Sequence, residues 1–214
     1  MFQRAFGNTA AELEDEYGPY DDATHFVVLA DSSDDVVATC RLIAPSPAGL
    51  KTIHDIAGAP WFVDGARALR AVGADLPTAW DITTIAVRKD RPVTPLAWAA
   101  LQHGMLQAAR ANSVRWAVMM LDDHVRRLLE MVGFIARPIP GTRPAPYLGS
   151  SATVPLVGDV PAMMDNQRRL NPDAHRLMTM GIGLTGIYVP PLAEFRIKTR
   201  SHVHYPEREL SKTA

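Results

Sequence analysis

Several side chains in this sequence invite a chemical question. Asp81 stands in the β-branched run Trp80 to Val87 (WDITTIAV), where strand alternation would put Asp81, Thr83, Ile85 and Val87 on one face. A carboxylate there either takes up a proton, if burial raises its pKa, or pairs with a cation such as Arg41 to fix the sheet. The two roles are compatible. Cys40, next to Arg41, has no His and Asn partner set and reads as a small buried hydrophobe rather than a nucleophile. Asp122, Asp123 and His124 include metal-ligating types, but the same residues make an ordinary helix cap, and no metal is expected. Arg88, Lys89 and Arg91 precede Thr94 and Pro95, a cap and a first-turn proline, so a helix N-terminus there could accept a pyrophosphate. His202 and His204 would share a face of an extended tail.

Composition narrows the partners. With 214 residues, 47% of them hydrophobic, the chain can close a substantial core, and disorder is excluded for most of its length. The formal net charge of −1 lacks the broad basic field that drives binding to a phosphate backbone, so no nucleic-acid partner is expected. The charge is unevenly spread: residues 1 to 35 hold nine acids against Arg4, while Arg196 to Ala214 hold five Lys or Arg against Glu207 and Glu209. Two solvated faces explain this, and an acidic rim that draws a cationic amine is the sharper reading. The stretch from Gly181 to Phe195 is too short and too interrupted by Pro190 and Pro191 to span a bilayer. A single cysteine, with no secretory pattern at the start, suggests the cytoplasm.

The elements that would hold these residues follow from periodicity. Phe26 to Ala30 and Val36 to Ile43 read as an antiparallel hairpin, and Trp80 to Val87 as a central strand. Residues 44 to 79 give no firm pattern beyond a short helix over Phe62 to Val72. A long Ala- and Leu-rich helix runs from Pro95 to about Asn112, then a strand over Arg115 to Leu121. A helix from His124 to Val132 stops at Gly133. That order predicts two parallel strands joined by a right-handed crossover, behind an antiparallel front. From Ile135 onward the recurring prolines predict edge strands and loops. Met163 to Met180 reads as a helical pair broken at Asn171-Pro172. Trp98, Trp116, Met105, Met119, Met120 and Met131 are expected to pack the core. The fold class is α+β.

The run from Arg126 to Phe134 (RRLLEMVGF) resembles the fourth-helix signature of the GNAT acyltransferase superfamily, a helix ending in Gly-Phe before a strand. Upstream, Tyr20-Asp21, Arg41-Leu42-Ile43 and Trp80-Asp81 resemble, in that order, the motifs of the acyl-homoserine-lactone synthase (autoinducer synthase) and N-acyl amino acid synthase branch. The resemblance covers roughly residues 4 to 160. It implies a twisted mixed sheet in which the strands Trp80 to Val87 and Arg115 to Leu121 run parallel and splay apart. Residues 1–160 would form the GNAT-like domain and 161–214 a helical extension with a polar tail packed on it.

What the resemblance implies for function is acyl transfer from acyl-CoA or acyl carrier protein to a small-molecule amine. Asp81 would take the amine's proton, and Arg41 and Asp21 would join it in an ion-pair cluster at the front of the site; apart from the resemblance, Tyr147, in the proline-rich segment near the expected cleft, is a candidate to donate a proton to the departing thiolate. The thioester would lie against the main chain of Ile85, Ala86 and Val87, with Arg88, Arg91, Val93 and Thr94 around its phosphates, and some of the methionines would line an acyl tunnel. Acyl carrier protein and a second copy of the chain are the macromolecular partners the resemblance allows. The competing class is a GNAT-like fold that has lost catalysis and binds a ligand or partner. Its basis is the glycine-free loop from Arg88 to Thr94, and Leu129 where many members carry a tyrosine.

Overall fold

The computed structural model describes residues 9–88 and 95–197. Thr9 and Glu12 form a reciprocal capping box that starts helix α1 (Ala10–Tyr17), and a tight turn over Gly18–Ala23 leads into the sheet. Strands β1 (Thr24–Ala30) and β2 (Val36–Ile43) form the expected hairpin. The stretch with no firm sequence pattern holds two short helices, α2 (Lys51–Asp55) and α3 (Gly65–Ala71). Strand β3 (Ala79–Val87), the long helix α4 (Pro95–Ala111), strand β4 (Trp116–Asp122) and helix α5 (Asp123–Met131) then follow in the predicted order. Asp122 caps α5 by accepting from the His124 amide. Gly133, at φ +80°, ends it with the two amide bonds of a Schellman turn. Thr94, the expected cap of α4, lies outside the described residues.

The sheet has seven strands in the order β1-β2-β3-β4-β7-β5, with β6 (Ala145–Tyr147) also paired to β7 (Ser150–Asp159) and β5 reduced to Arg137–Pro138. Among the described strands only the β3–β4 pair is parallel. The proline-rich region therefore holds more than edges: β7 is internal, with Pro155 in its middle. Its carbonyl accepts from the Ile139 amide, so the side lacking an N–H faces away from β4, towards the break between β5 and β6. A ladder bond to β4 is not lost.

Both faces are covered. On one, Cys40, Leu42, Trp80, Leu101 and Met105 pack the sheet on α4. On the other, Leu50, Ile56, Leu69, Val118 and Val157 join α2 and α3 to it. Helix α6 (Val160–Leu170) and the turn after Asn171-Pro172 pack beside α4, as the broken helical pair predicts. Met131, expected in the core, is exposed on the last turn of α5.

Two irregularities shape the centre of the sheet. Pairing between β3 and β4 stops at Ile82 and Met119, after which the strands part. In β3, Thr83 is an extra residue: Leu42 lies opposite Ile82 and Arg41 opposite Thr84. This bulge reverses the alternation beyond it. The face shared by Asp81 continues through Thr84 and Ala86, and Ile85 turns back towards α4, which corrects the set Asp81, Thr83, Ile85 and Val87 expected from a regular strand.

Candidate active site

Where β3 and β4 part, a cleft of about 170 Å³ opens. Thr83, Thr84 and Ile85 line one side, Met120 to Asp122 the other, and Tyr17, Lys51, Asp55 and Tyr147 close it. Along Ile85, Ala86 and Val87 the backbone pairs on one side with Cys40, Thr39 and Ala38. No described strand pairs with the other side, so main-chain donors and acceptors of β3 face the opening. Thr83 carries a buried hydroxyl that meets no hydrogen-bond partner among the described residues.

The closing wall is a network built on the first residue of α2. The Lys51 ammonium donates to Glu16 (2.5 Å), to Asp55 (2.6 Å) and to the Tyr147 hydroxyl (2.8 Å). Its three protons are thereby used. Tyr147 in turn donates to Asp55 at 2.6 Å, and its ring packs on Trp61 with centroids 5.6 Å apart. Burial alone would lower the Lys51 ammonium, yet the charges and hydrogen bonds of Asp55 and Glu16 push it above the usual lysine value. Burial, followed by the charge of Asp55, pushes the Tyr147 phenol well above the ordinary tyrosine range. Beside the network, burial raises the Tyr17 hydroxyl, and Tyr20, bonded to His54 Nδ1 at 2.9 Å, is pushed up to about 12 by the same cause.

Asp81 stands behind this wall. It is 0% exposed, and its two oxygens accept from the Thr52 amide (2.5 Å) and the Thr52 hydroxyl (2.8 Å). Burial pushes its carboxyl up to about 7, against the lowering effect of both Thr52 bonds. It does not line the cleft, because Thr52 lies between.

The expected cluster of Asp21, Arg41 and Asp81 does not form. The bulge sets Arg41 opposite Thr84 and Asp81 opposite Ile43. The Arg41 guanidinium stacks on Tyr17, 4.1 Å from the ring centroid, and its Nε and Nη1 meet no acceptor among the described residues. Asp21 is exposed on the turn after α1. The Arg88 amide donates to the Val37 carbonyl at 2.9 Å, and its side chain borders a groove with Arg41 and Thr84. Arg91, Val93 and Thr94, like Lys89 and the tail histidines, lie outside the described residues. Leu129 is buried, and burial raises the Cys40 thiol strongly.

Five residues of this region were not singled out from sequence: Glu16, Tyr17, Lys51, Thr52 and Asp55. The available signals were the capping box that carries α1 to Tyr17 and the i,i+4 spacing of Lys51 and Asp55.

Neither a protein-family model nor a curated protein matches the sequence. Solved structures do. A CoA-dependent acyl-homoserine lactone synthase, BjaI, with SAM and isopentyl-CoA, superposes with a TM-score of 0.52 at 17% identity, covering 82% of this chain and 74% of that one. FeeM, an N-acyl amino acid synthase from uncultured soil microbes, gives 0.58 at 11% identity, over 79% of this chain and 86% of that one. The chain thus has the mixed-sheet fold of these synthases, within the wider GNAT fold its sequence resembles.

Proposed function

We propose that the protein is an N-acyltransferase that moves an acyl group from a CoA or acyl carrier protein thioester to a small-molecule amine. The observation that carries this reading is the open backbone edge of Ile85 to Val87 beside the Lys51, Asp55 and Tyr147 network in one cleft. A pantetheine arm carries amides spaced for pairing with such an edge, and it needs no particular side chain there. The thioester carbonyl would then lie near Thr83, whose unpartnered hydroxyl suits a developing oxyanion. Binding both reactants in the cleft supplies proximity, which needs reacting atoms about 3–3.5 Å apart.

The acyl group would point past Ile82. Behind that residue, Leu42, Trp80, Met105 and Met163 line an apolar void of about 30 Å³. Ile82 stands between the cleft and this void, so an acyl chain reaches it only if Ile82 turns aside, and a longer chain also requires the methionines to move. Tyr147 is ill suited to protonate the leaving thiolate. An ordinary thiol has a pKa of about 8.5, and the phenol, already raised, would give up its proton uphill.

Calorimetric titration with acetyl-CoA, longer acyl-CoAs and acyl carrier protein thioesters tests the reading. At least one should bind, and more weakly when residues of the cleft wall are enlarged. Binding without turnover would favour a ligand-binding module, the reading suggested by Leu129 in place of a tyrosine. Absence of any binding would reject thioester chemistry.

A further inference from the structure

We infer that Asp55 is the residue that takes the proton from the acceptor amine, and that Asp81 acts behind it as a positioning residue through Thr52. The inference rests on the acyltransferase reading and deepens it. Asp55 lines the cleft, with its side chain 14% exposed. Among the described residues, its side-chain hydrogen bonds all run to one oxygen: Lys51 Nζ and Tyr147 Oη each donate to Oδ2 at 2.6 Å. Oδ1 is left with its lone pairs unused. A carboxylate clamped on one oxygen and free on the other is oriented and able to accept a proton. Asp81 has the opposite arrangement, with both oxygens taken by Thr52 and no exposure.

The connection between the two runs through one short helix. Thr52 is the second residue of α2 and Asp55 the last. Fixing the amide and hydroxyl of Thr52 to β3 fixes the first turn, and with it the directions in which Lys51 and Asp55 leave the backbone. Glu16 from α1 and Tyr147 from β6 complete the frame around Lys51.

The step balances without another reactant. The amine nitrogen forms a bond to the thioester carbonyl carbon, and the C–S bond breaks with its electron pair leaving on sulfur. Nitrogen loses one proton to Asp55 as its acidity rises during attack. Asp55 then passes that same proton to the thiolate, directly or through a water, so the products are an amide and a thiol and the carboxylate is regenerated.

The test uses thiol release by the full-length protein from acetyl-, butanoyl- and hexanoyl-CoA, with alkylamines and amino acids as acceptors, at the best wild-type pair. Asp55→Asn should lower kcat by ~10²–10⁴-fold with KM within a few-fold. Formate should restore part of the activity of Asp55→Ala, a rescue that a structural role would not give. Asp81→Asn should keep kcat within a few-fold, because asparagine can accept from the Thr52 amide and donate to its hydroxyl, whereas Asp81→Ala should lose much more. Melting curves establish that each variant is folded. If Asp81→Asn is as dead as Asp81→Ala while Asp55→Asn stays active, the assignment is reversed and the inference fails. If the wild type releases thiol with no pair, although it binds thioesters, the acyltransferase reading itself fails.

Discussion

Replacing Asp81 with asparagine should stabilise the protein above neutral pH and flatten its stability between about pH 4 and pH 7. Burial, as its main cause, pushes the carboxyl up to about 7 in the folded protein, from an ordinary value of 3.8. A group whose folded pKa is raised contributes stability that is fully present below the unfolded value and lost as pH rises through the folded one. Wild-type stability should therefore fall across that window. At ~1.4 kcal/mol for each tenfold change in proton affinity, a carboxyl raised from 3.8 to about 7 sets an upper bound of about 4 kcal/mol, and relaxation around the charge should leave roughly half. Asparagine carries no charge to bury. It can keep both Thr52 bonds, and no ion pair with Arg41 is there to be broken. Urea unfolding of both proteins at intervals from about pH 4 to pH 8 provides the measurement. Parallel curves, or a variant less stable than wild type at the alkaline end, would refute the reasoning.

Other substitutions probe the surrounding parts. Ile82→Ala should join the cleft to the apolar void behind it and shift the thioester preference towards longer chains, by up to about fourfold in kcat/KM per added methylene at ~0.8 kcal/mol each. An unchanged chain-length profile would show that the acyl group lies elsewhere. Gly133→Ala should cost about 2 kcal/mol or more, read as a lowered melting temperature. The site has φ +80°, and an added Cβ would lie 2.7 Å from the Gln167 backbone. Lys51→Met should destabilise by up to ~3–5 kcal/mol in a denaturant titration, because it leaves two partly buried carboxylates facing one another. The partial exposure of Glu16, 30%, places the expected value towards the lower end.

The strand and helix order could be read because local chemistry and tertiary structure agree there. WDITTIAV is β-branched, Pro95 opens α4, and Gly133 stops α5 in the one conformation that needs glycine. The site was less legible for three physical reasons. The bulge at Thr83 breaks the two-residue period, and nothing in Thr83-Thr84 distinguishes a bulge from a regular strand. Helix α2 has five residues, too few for a hydrophobic stripe, so Lys51 and Asp55 had no predicted element to hold them. Asp81 was correctly placed on the central strand, but its accessibility depends on Thr52, 29 positions earlier in the chain. Pro155 misled in the same way, since its tolerance inside β7 depends on a gap between two partner strands.

The most direct test of acyl transfer in this cleft is to incubate the purified protein with acyl-CoA and acyl carrier protein thioesters and a mixture of small amines, and to follow N-acyl products by mass spectrometry alongside thiol release. An amide should form in step with thiol, only when both thioester and amine are present, and its rate should fall sharply in Asp55→Asn. A folded wild-type protein that forms no amide from any thioester would contradict the account.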